Sequence, residues 1–199
     1  MAEFILASTS PRRKELLEML GIDFEVAASD ADESVLDGQD LPAYLLVQEL
    51  ALLKASAAAK MVLGHKHAIL IGADTVVCCG GTVLGKPKNQ EDACRMLQML
   101  SGRTHEVYTG ICVMRVKDGF TVCDRACTKV KFKKLTEEQI KNYIHTGEPV
   151  DKAGAYGIQG RGTLLVEGIE GDYFNVVGLP LSLLADVLQR EFDINLLSR

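Results

Sequence analysis

Apolar and polar positions follow two rhythms along this chain, and the switches between them mark its elements. Phe4 to Ala7 form an unbroken apolar run, the pattern of a short buried strand. The run breaks at Ser8-Thr9-Ser10-Pro11-Arg12-Arg13. Ser10 is a good N-cap residue and Pro11 takes the first helical position, so a helix is predicted from there to about Leu20, ended by Gly21. Asp40 offers a cap for a long helix over Leu41 to Lys60, with Pro42 in its first turn. Asn89 with Asp92 opens a third helix, whose Ala93, Met96, Leu97 and Leu100 recur at helical spacing. Thr136 and Gln139 form a capping box for Glu137 to His145. A fifth helix begins near Pro180, with Leu181, Leu184, Ala185 and Leu188 on one face.

Strand patterns fall between these helices, at Phe24–Ala28, Ala68–Val77, Val83–Leu84, Val107–Val116, Phe120–Phe132 and Thr163–Val166. Lys117-Asp118-Gly119 joins two of them as a hairpin turn. Helices alternate with strands in the first half and an antiparallel pair sits in the middle. The fold class is therefore α/β, a mixed and partly antiparallel sheet flanked by helices. With no linker-like stretch, repeat or low-complexity tract, residues 1–199 read as one domain.

Charge and cysteine usage narrow the class of function. A net charge of −5 argues against a nucleic-acid-coating surface, while leaving room for a local basic pocket. No apolar stretch approaches a transmembrane span, and Glu3 stands where a signal peptide needs basic residues. The expectation is a soluble, cytoplasmic protein. Its six cysteines show no C-x-x-C pair and no zinc-like spacing, so buried, reduced thiols are expected. The four histidines are scattered, which argues against a transition-metal site.

Arg12 and Arg13 sit in the first turn of a helix, where cations oppose the helix dipole. Either they are solvated surface residues or an anion, such as a phosphate, lies in front of them. Asp74 interrupts the apolar run Gly72-Ala73-Asp74-Thr75-Val76-Val77, a costly place for a carboxylate unless it is paired, protonated or metal-bound. Asp30, Asp32 and Glu33 make an acidic loop, by default a solvated surface, although with Asp74 it could supply oxygen ligands to Mg²⁺ or Mn²⁺. Lys54, in an apolar stretch, reads as a snorkelling lysine or as a phosphate contact. Gly80-x-x-x-x-Gly85-Lys86 has P-loop spacing, but Pro87 replaces the hydroxyl that such a loop needs. Gln159, between glycines in Tyr156-Gly157-Ile158-Gln159-Gly160, offers a donor and an acceptor on a backbone that a ligand can approach closely.

Taken in order, several motifs resemble the Maf family of nucleoside triphosphate pyrophosphatases, also described as septum-formation inhibitors. They are Ser8-x-Ser10-Pro11-Arg12-Arg13, Gly72-Ala73-Asp74-Thr75, Gly85-Lys86-Pro87, Leu100-Ser101-Gly102-x-Thr104-His105, Asp151 to Gly160 and Val177-Gly178-Leu179-Pro180-Leu181. The resemblance implies two lobes around a deep nucleotide-binding cleft, similar to inosine triphosphatases, and commonly a homodimer. It implies cleavage between α- and β-phosphates with a divalent cation, Mg²⁺, Mn²⁺ or Co²⁺. Asp74 matches the proton acceptor and Glu33 an acidic site residue, the two together matching the metal ligands. Arg13, Lys54 and Lys86 match the basic site residues. Ser8 and Ser10 match substrate-binding positions, and Arg12, Thr75 and Gln159 match positions linked to base choice in the branch acting on dTTP and UTP. From the charge and the lack of an apolar span, no nucleic-acid or membrane partner is expected, and the loosely matching segments Ala58–His67 and Arg115–Cys127 are expected at the surface. The alternatives are a pyrophosphatase for 7-methyl-GTP and a nucleotide-binding regulator of cell division without turnover.

Overall fold

The computed structural model describes residues 3–27, 31–36, 38–65 and 67–198. Among the described residues there are seven strands, β1 (Glu3–Ala7), β2 (Phe24–Val26), β3 (Ala68–Cys79), β4 (Thr82–Leu84), β5 (Thr104–Arg115), β6 (Thr121–Phe132) and β7 (Val166–Glu170). The helices are α1 (Pro11–Met19), α2 (Ala43–Met61), α3 (Gln90–Leu100), α4 (Glu137–Ile144), α5 (Tyr173–Val177) and α6 (Leu181–Phe192). Strands hydrogen-bond in the order β2-β1-β3-β5-β6-β7, with β4 on β3. β1 runs parallel to both β2 and β3, whereas β3–β4 and β6–β7 are antiparallel, so the sheet is mixed as expected. The chain forms two compact units. One comprises Met1–Asp74, Thr109–Ala126 and Gly178–Arg199, the other Thr75–Tyr108 and Cys127–Val177.

In the first unit, α2 lies directly on the sheet because small residues face each other there. Ala51, Ala55 and Ala58 on the helix form one core with Ile5 and Ala7 of β1, Ala68 and Leu70 of β3, and Cys112 and Met114 of β5. A Cβ added at Gly72 would lie 2.5 Å from the Ala51 carbonyl oxygen, and one at Gly110 would run into the Val47 carbonyl. Two glycines thus let the helix backbone touch two strands. The opposite strand faces, with Phe4, Leu6, Ile69, Ile71, Ile111 and Val113, are equally buried, as central strands of an α/β sheet require.

The second unit has its own core. α3 presents Ala93, Met96, Leu97 and Leu100, as its periodicity predicts, to Val77, Leu84, Val130, Phe132, Ile140, Tyr143 and Tyr156. Both local caps form. The Asn89 side chain accepts from the Asp92 N–H at 2.8 Å, and Thr136 and Gln139 close the capping box. His105 is buried in this core, edge-on to Phe132 and Tyr156, so the Thr104-His105 motif is structural here. Its Nε2 lies 2.7 Å from the Tyr156 hydroxyl, and its Nδ1 has no hydrogen-bond partner among the described residues.

Burial lowers the His105 pKa from 6.5 to about 4. Between those values the unfolded chain binds the proton and the folded one does not, so stability is full above pH 6.5 and declines as the pH falls towards 4. His105 alone is expected to withdraw up to about 3 kcal/mol over that window. Urea midpoints at neutral and acid pH, compared with those of His105→Gln, measure this. An equal acid loss in the variant would rule His105 out as the cause.

Several boundaries differ from the pattern-based expectations. Ser10 occupies the N-cap position of α1, but its side chain makes no cap bond; its N–H donates instead to Ser8 Oγ at 3.2 Å. Asp40 does not cap α2, which starts after Pro42 with the Pro42 carbonyl accepting from Leu45 and Leu46. The predicted strand at Thr163–Val166 is a 3₁₀ turn up to Leu165, because the Thr163 hydroxyl folds back onto the Ile158 carbonyl at 2.6 Å; β7 begins at Val166. Ala58–His67 is not all surface, since Ala58 and Val62 belong to the first core. All six cysteines are free, but only Cys79 and Cys112 are buried, and Cys127 on the outward side of β6 is exposed. The predicted end of β2, Ala28, lies outside the described residues.

Candidate active site

Strand periodicity builds the centre of the site. Gly72 and Asp74 are two residues apart on β3, so both face α2. The glycine brings the helix down onto the strand, and three positions along the helix from Ala51 comes Lys54. Its ammonium pairs with Asp74 Oδ1 and, at 3.0 Å, with Glu33 Oε1. Lys54 and Asp74 side chains are only 17% and 13% exposed, whereas Glu33 is 54% exposed. Lys54 is therefore an ion-paired residue of the site, not a snorkelling one. The cost of placing a carboxylate in an apolar strand is offset by this partner.

Glu33 opens a 3₁₀ turn over Glu33–Leu36. Asp32 holds that turn by accepting from the Ser34 N–H at 3.1 Å and its hydroxyl at 2.5 Å, so of the acidic loop Asp32 is structural and Glu33 reaches the lysine. Asp30 lies outside the described residues. Two carboxylates converging on one cationic atom form a hard oxygen donor pair, of the kind Mg²⁺ or Mn²⁺ uses beside phosphate oxygens and water. Glu33 and Asp74 therefore fit a divalent cation.

Arg13 is buried, unlike the surface arginine that a helix N-terminus suggests. Its Nε donates to the Gly178 carbonyl at 2.8 Å and its Nη1 to Ser8 Oγ at 3.2 Å. Burial lowers its pKa and the nearby Asp74 charge works the other way. Ser8 is buried with it, while Ser10 and Arg12 are half-buried at the start of α1. Sequence reasoning placed Ser8, Ser10 and the arginines together and singled out the motif containing Gly178, but not the bond by which the Gly178 carbonyl fixes the guanidinium from 165 positions away.

In the second unit, Gly80 and Gly81 form the tight turn of the β3–β4 hairpin, with φ of 57° and 82°, which explains why the P-loop-like spacing is not a P-loop. Lys86 follows it, exposed, beside Gly85, whose carbonyl accepts from Gly154 N–H at 3.0 Å. Thr75 is half-buried and points to the strand face opposite Asp74. Gln159 is exposed, and its amide makes no hydrogen bond within the described residues. The segment around it is tied by groups that the sequence did not single out. The Glu148 carboxylate accepts from Arg161 N–H at 3.0 Å and Gly162 N–H at 3.2 Å, and the Tyr143 hydroxyl accepts from Gly157 N–H at 3.2 Å.

Glu3, Glu25 and His65 bring ligand-type atoms within 4.8 Å of one another, a grouping that the scattered histidines do not reveal in sequence. The Glu3 carboxylate, 2.7 Å from His65 Nδ1, raises the histidine's pKa. No helix among the described residues is long and apolar enough to cross a membrane.

A family model described as Maf-like protein matches residues 3–191, nearly the whole chain. The chain belongs to the Maf family. Among similar proteins, one from Alkaliphilus metalliredigens (strain QYMF) is 53% identical over 197 residues, covering 99% of this chain and 100% of the relative. One from Thermoanaerobacter sp. (strain X514) is 54% identical over 195 residues, 98% of this chain and 100% of its own length. One from Acetivibrio thermocellus is 50% identical over 203 residues, covering 100% of both. Each is named dTTP/UTP pyrophosphatase. Among solved structures, the Staphylococcus aureus Ham1 protein aligns with a TM-score of 0.44 at 19% identity, over 65% of this chain and 71% of that one.

Proposed function

We propose that this Maf protein hydrolyses dTTP and UTP to the nucleoside monophosphate and pyrophosphate, with residues 1–199 acting as one functional domain. The observation that carries the reading is the Asp74–Lys54–Glu33 cluster, in a chain about half identical over its full length to proteins named for that activity. Asp74 keeps one carboxylate oxygen on Lys54, leaving the other to accept a proton from an attacking water. Lys54 holds both carboxylates in register, so the base does not depend on substrate for its position. Arg13, fixed by Ser8 and Gly178, is a preset positive charge for phosphate oxygens as charge builds on the leaving pyrophosphate. The family resemblance assigns Lys86 a further phosphate contact and Ser10, Arg12, Thr75 and Gln159 the remaining substrate contacts. A divalent cation held by Glu33 and Asp74 would neutralise charge on the phosphate oxygens.

Uracil and thymine present an acceptor O4 beside a donor N3–H, and the Gln159 amide can answer both, whereas cytosine inverts the pattern. The experiment is a panel of nucleoside triphosphates assayed for pyrophosphate release with Mg²⁺, Mn²⁺ or Co²⁺, and with chelator. Preference for 7-methyl-GTP, absence of turnover, or turnover that chelator leaves unchanged would each refute part of this reading. The family resemblance also brings a homodimer and a cytoplasmic location into the proposal, and light scattering on the purified protein measures the first.

Pyrophosphate is expected as the immediate product, because the hairpin at Gly80-Gly81 removes the P-loop geometry that commonly serves γ-phosphate transfer. Phosphorus NMR of a UTP reaction decides it: pyrophosphate and UMP appear together, and accumulation of UDP with orthophosphate is the contrary result.

A further inference from the structure

Gln159 stands at the N-cap position of the 3₁₀ helix Gly160–Leu165, with extended backbone and no side-chain cap bond. That position ordinarily goes to a Ser, Thr, Asp or Asn whose own oxygen takes the first orphan N–H groups. Here those N–H groups, of Arg161 and Gly162, go to the two carboxylate oxygens of Glu148 at 3.0 and 3.2 Å. Gly160, at φ +63°, lets the turn close onto that carboxylate, since an added Cβ would lie 3.0 Å from Glu148 Oε1. At the other end, Gly157 donates to the Tyr143 hydroxyl and lies under the Lys152 stem, whose Cε would be 2.9 Å from an added Cβ. The backbone is thus gripped on both sides of Gln159.

Glu148 does not use its carboxylate on its own turn. Its N–H donates to Thr146 Oγ1 at 3.1 Å and its carbonyl accepts from Lys152 Nζ at 2.7 Å, which fix the turn Glu148–Asp151 independently. We propose that Glu148 is a positioning residue for substrate selection: it performs the capping that residue 159 would otherwise perform, which frees the Gln159 amide for the nucleobase. This rests on the reading of Gln159 as the base-facing side chain. A carboxylate suits the task because it accepts at two oxygens and donates at neither. An amide at the same place turns one acceptor into a donor facing an N–H.

The test uses the full-length enzyme with UTP and CTP in a pyrophosphate-release assay, comparing Glu148→Ala, Glu148→Gln, Gln159→Ala and the double variant Glu148→Ala/Gln159→Ala. Glu148→Ala is expected to raise the KM for UTP and narrow the preference for UTP over CTP by about tenfold, the scale of one charge-assisted hydrogen bond. Glu148→Gln should fall between it and the parent. The double variant should lose no more selectivity than Gln159→Ala, because both substitutions remove one function. If Gln159→Ala narrows the preference and neither Glu148 variant does, the positioning role is overturned while the base reading stands. If Gln159→Ala leaves the preference unchanged, the base reading fails first and the positioning role with it. Should Glu148→Ala not fold, as a thermal melt would reveal, Glu148→Gln alone carries the comparison.

Discussion

Asp74→Asn is expected to reduce UTP turnover by about 10²–10⁴-fold while leaving the protein folded. The substitution keeps the shape of the side chain and an oxygen able to accept from Lys54, but an amide cannot take a proton from water. Lys54 retains Glu33 at 3.0 Å, so its charge is not left without a partner in its partly buried position. Loss of activity by collapse of the cluster is therefore not expected. Pyrophosphate release under saturating UTP gives the rate, and circular dichroism with a thermal melt reports the fold. Near-normal turnover in the variant would remove Asp74 from the role of base. A melt lowered by many degrees would mean that the carboxylate serves mainly to anchor the α2–β3 contact.

The second large effect is on stability. Gly110→Ala should destabilise the protein by about 3 kcal/mol or more, at the upper end of overpacking penalties, since the new methyl group meets backbone rather than a side chain that can rotate away. It would run into the Val47 carbonyl, with the Gln48 nitrogen 2.8 Å off. Neither atom can move without shifting α2, and α2 also rests on Gly72 through Ala51. For a chain of this length the melting temperature is expected to drop by roughly 10 °C. Gly119→Ala tests a different cause, because Gly119 has open space around it and only a φ of +72° to lose. A smaller drop at Gly110 than at Gly119 would show that the helix seat is softer than its contacts imply.

What the sequence made legible was local. The caps at Asn89 and Thr136 form as read, because each cap and its target N–H lie three residues apart and need nothing else. The buried face of α3 followed from its spacing alone. Misreadings arose where another group only a few positions away competes for the same local partners. Ser10 makes no cap bond, while its N–H and the Arg13 guanidinium both donate to Ser8 Oγ. Thr163-Leu164-Leu165 has the composition of a strand, yet one hydroxyl-to-carbonyl bond winds it into a turn. For the candidate site, residue types were readable and partnerships were not. A lysine on a helix and an aspartate on a strand twenty positions later meet only because Gly72 brings the two backbones into contact. Glu148 escaped notice altogether, since a glutamate before a proline carries no signal until the amides it serves are seen.

The first compact unit is assembled from three separated stretches, and Gly178, which opens the last of them, fixes Arg13 near the start of the chain. This has a consequence for biosynthesis. During translation the guanidinium emerges 165 residues before its carbonyl acceptor is made. Truncated products ending before that glycine retain Asp74, Lys54 and Glu33 in their sequence but lack the group that orients Arg13. A nascent chain that has not reached Gly178 therefore carries these residues without the contact that fixes the guanidinium.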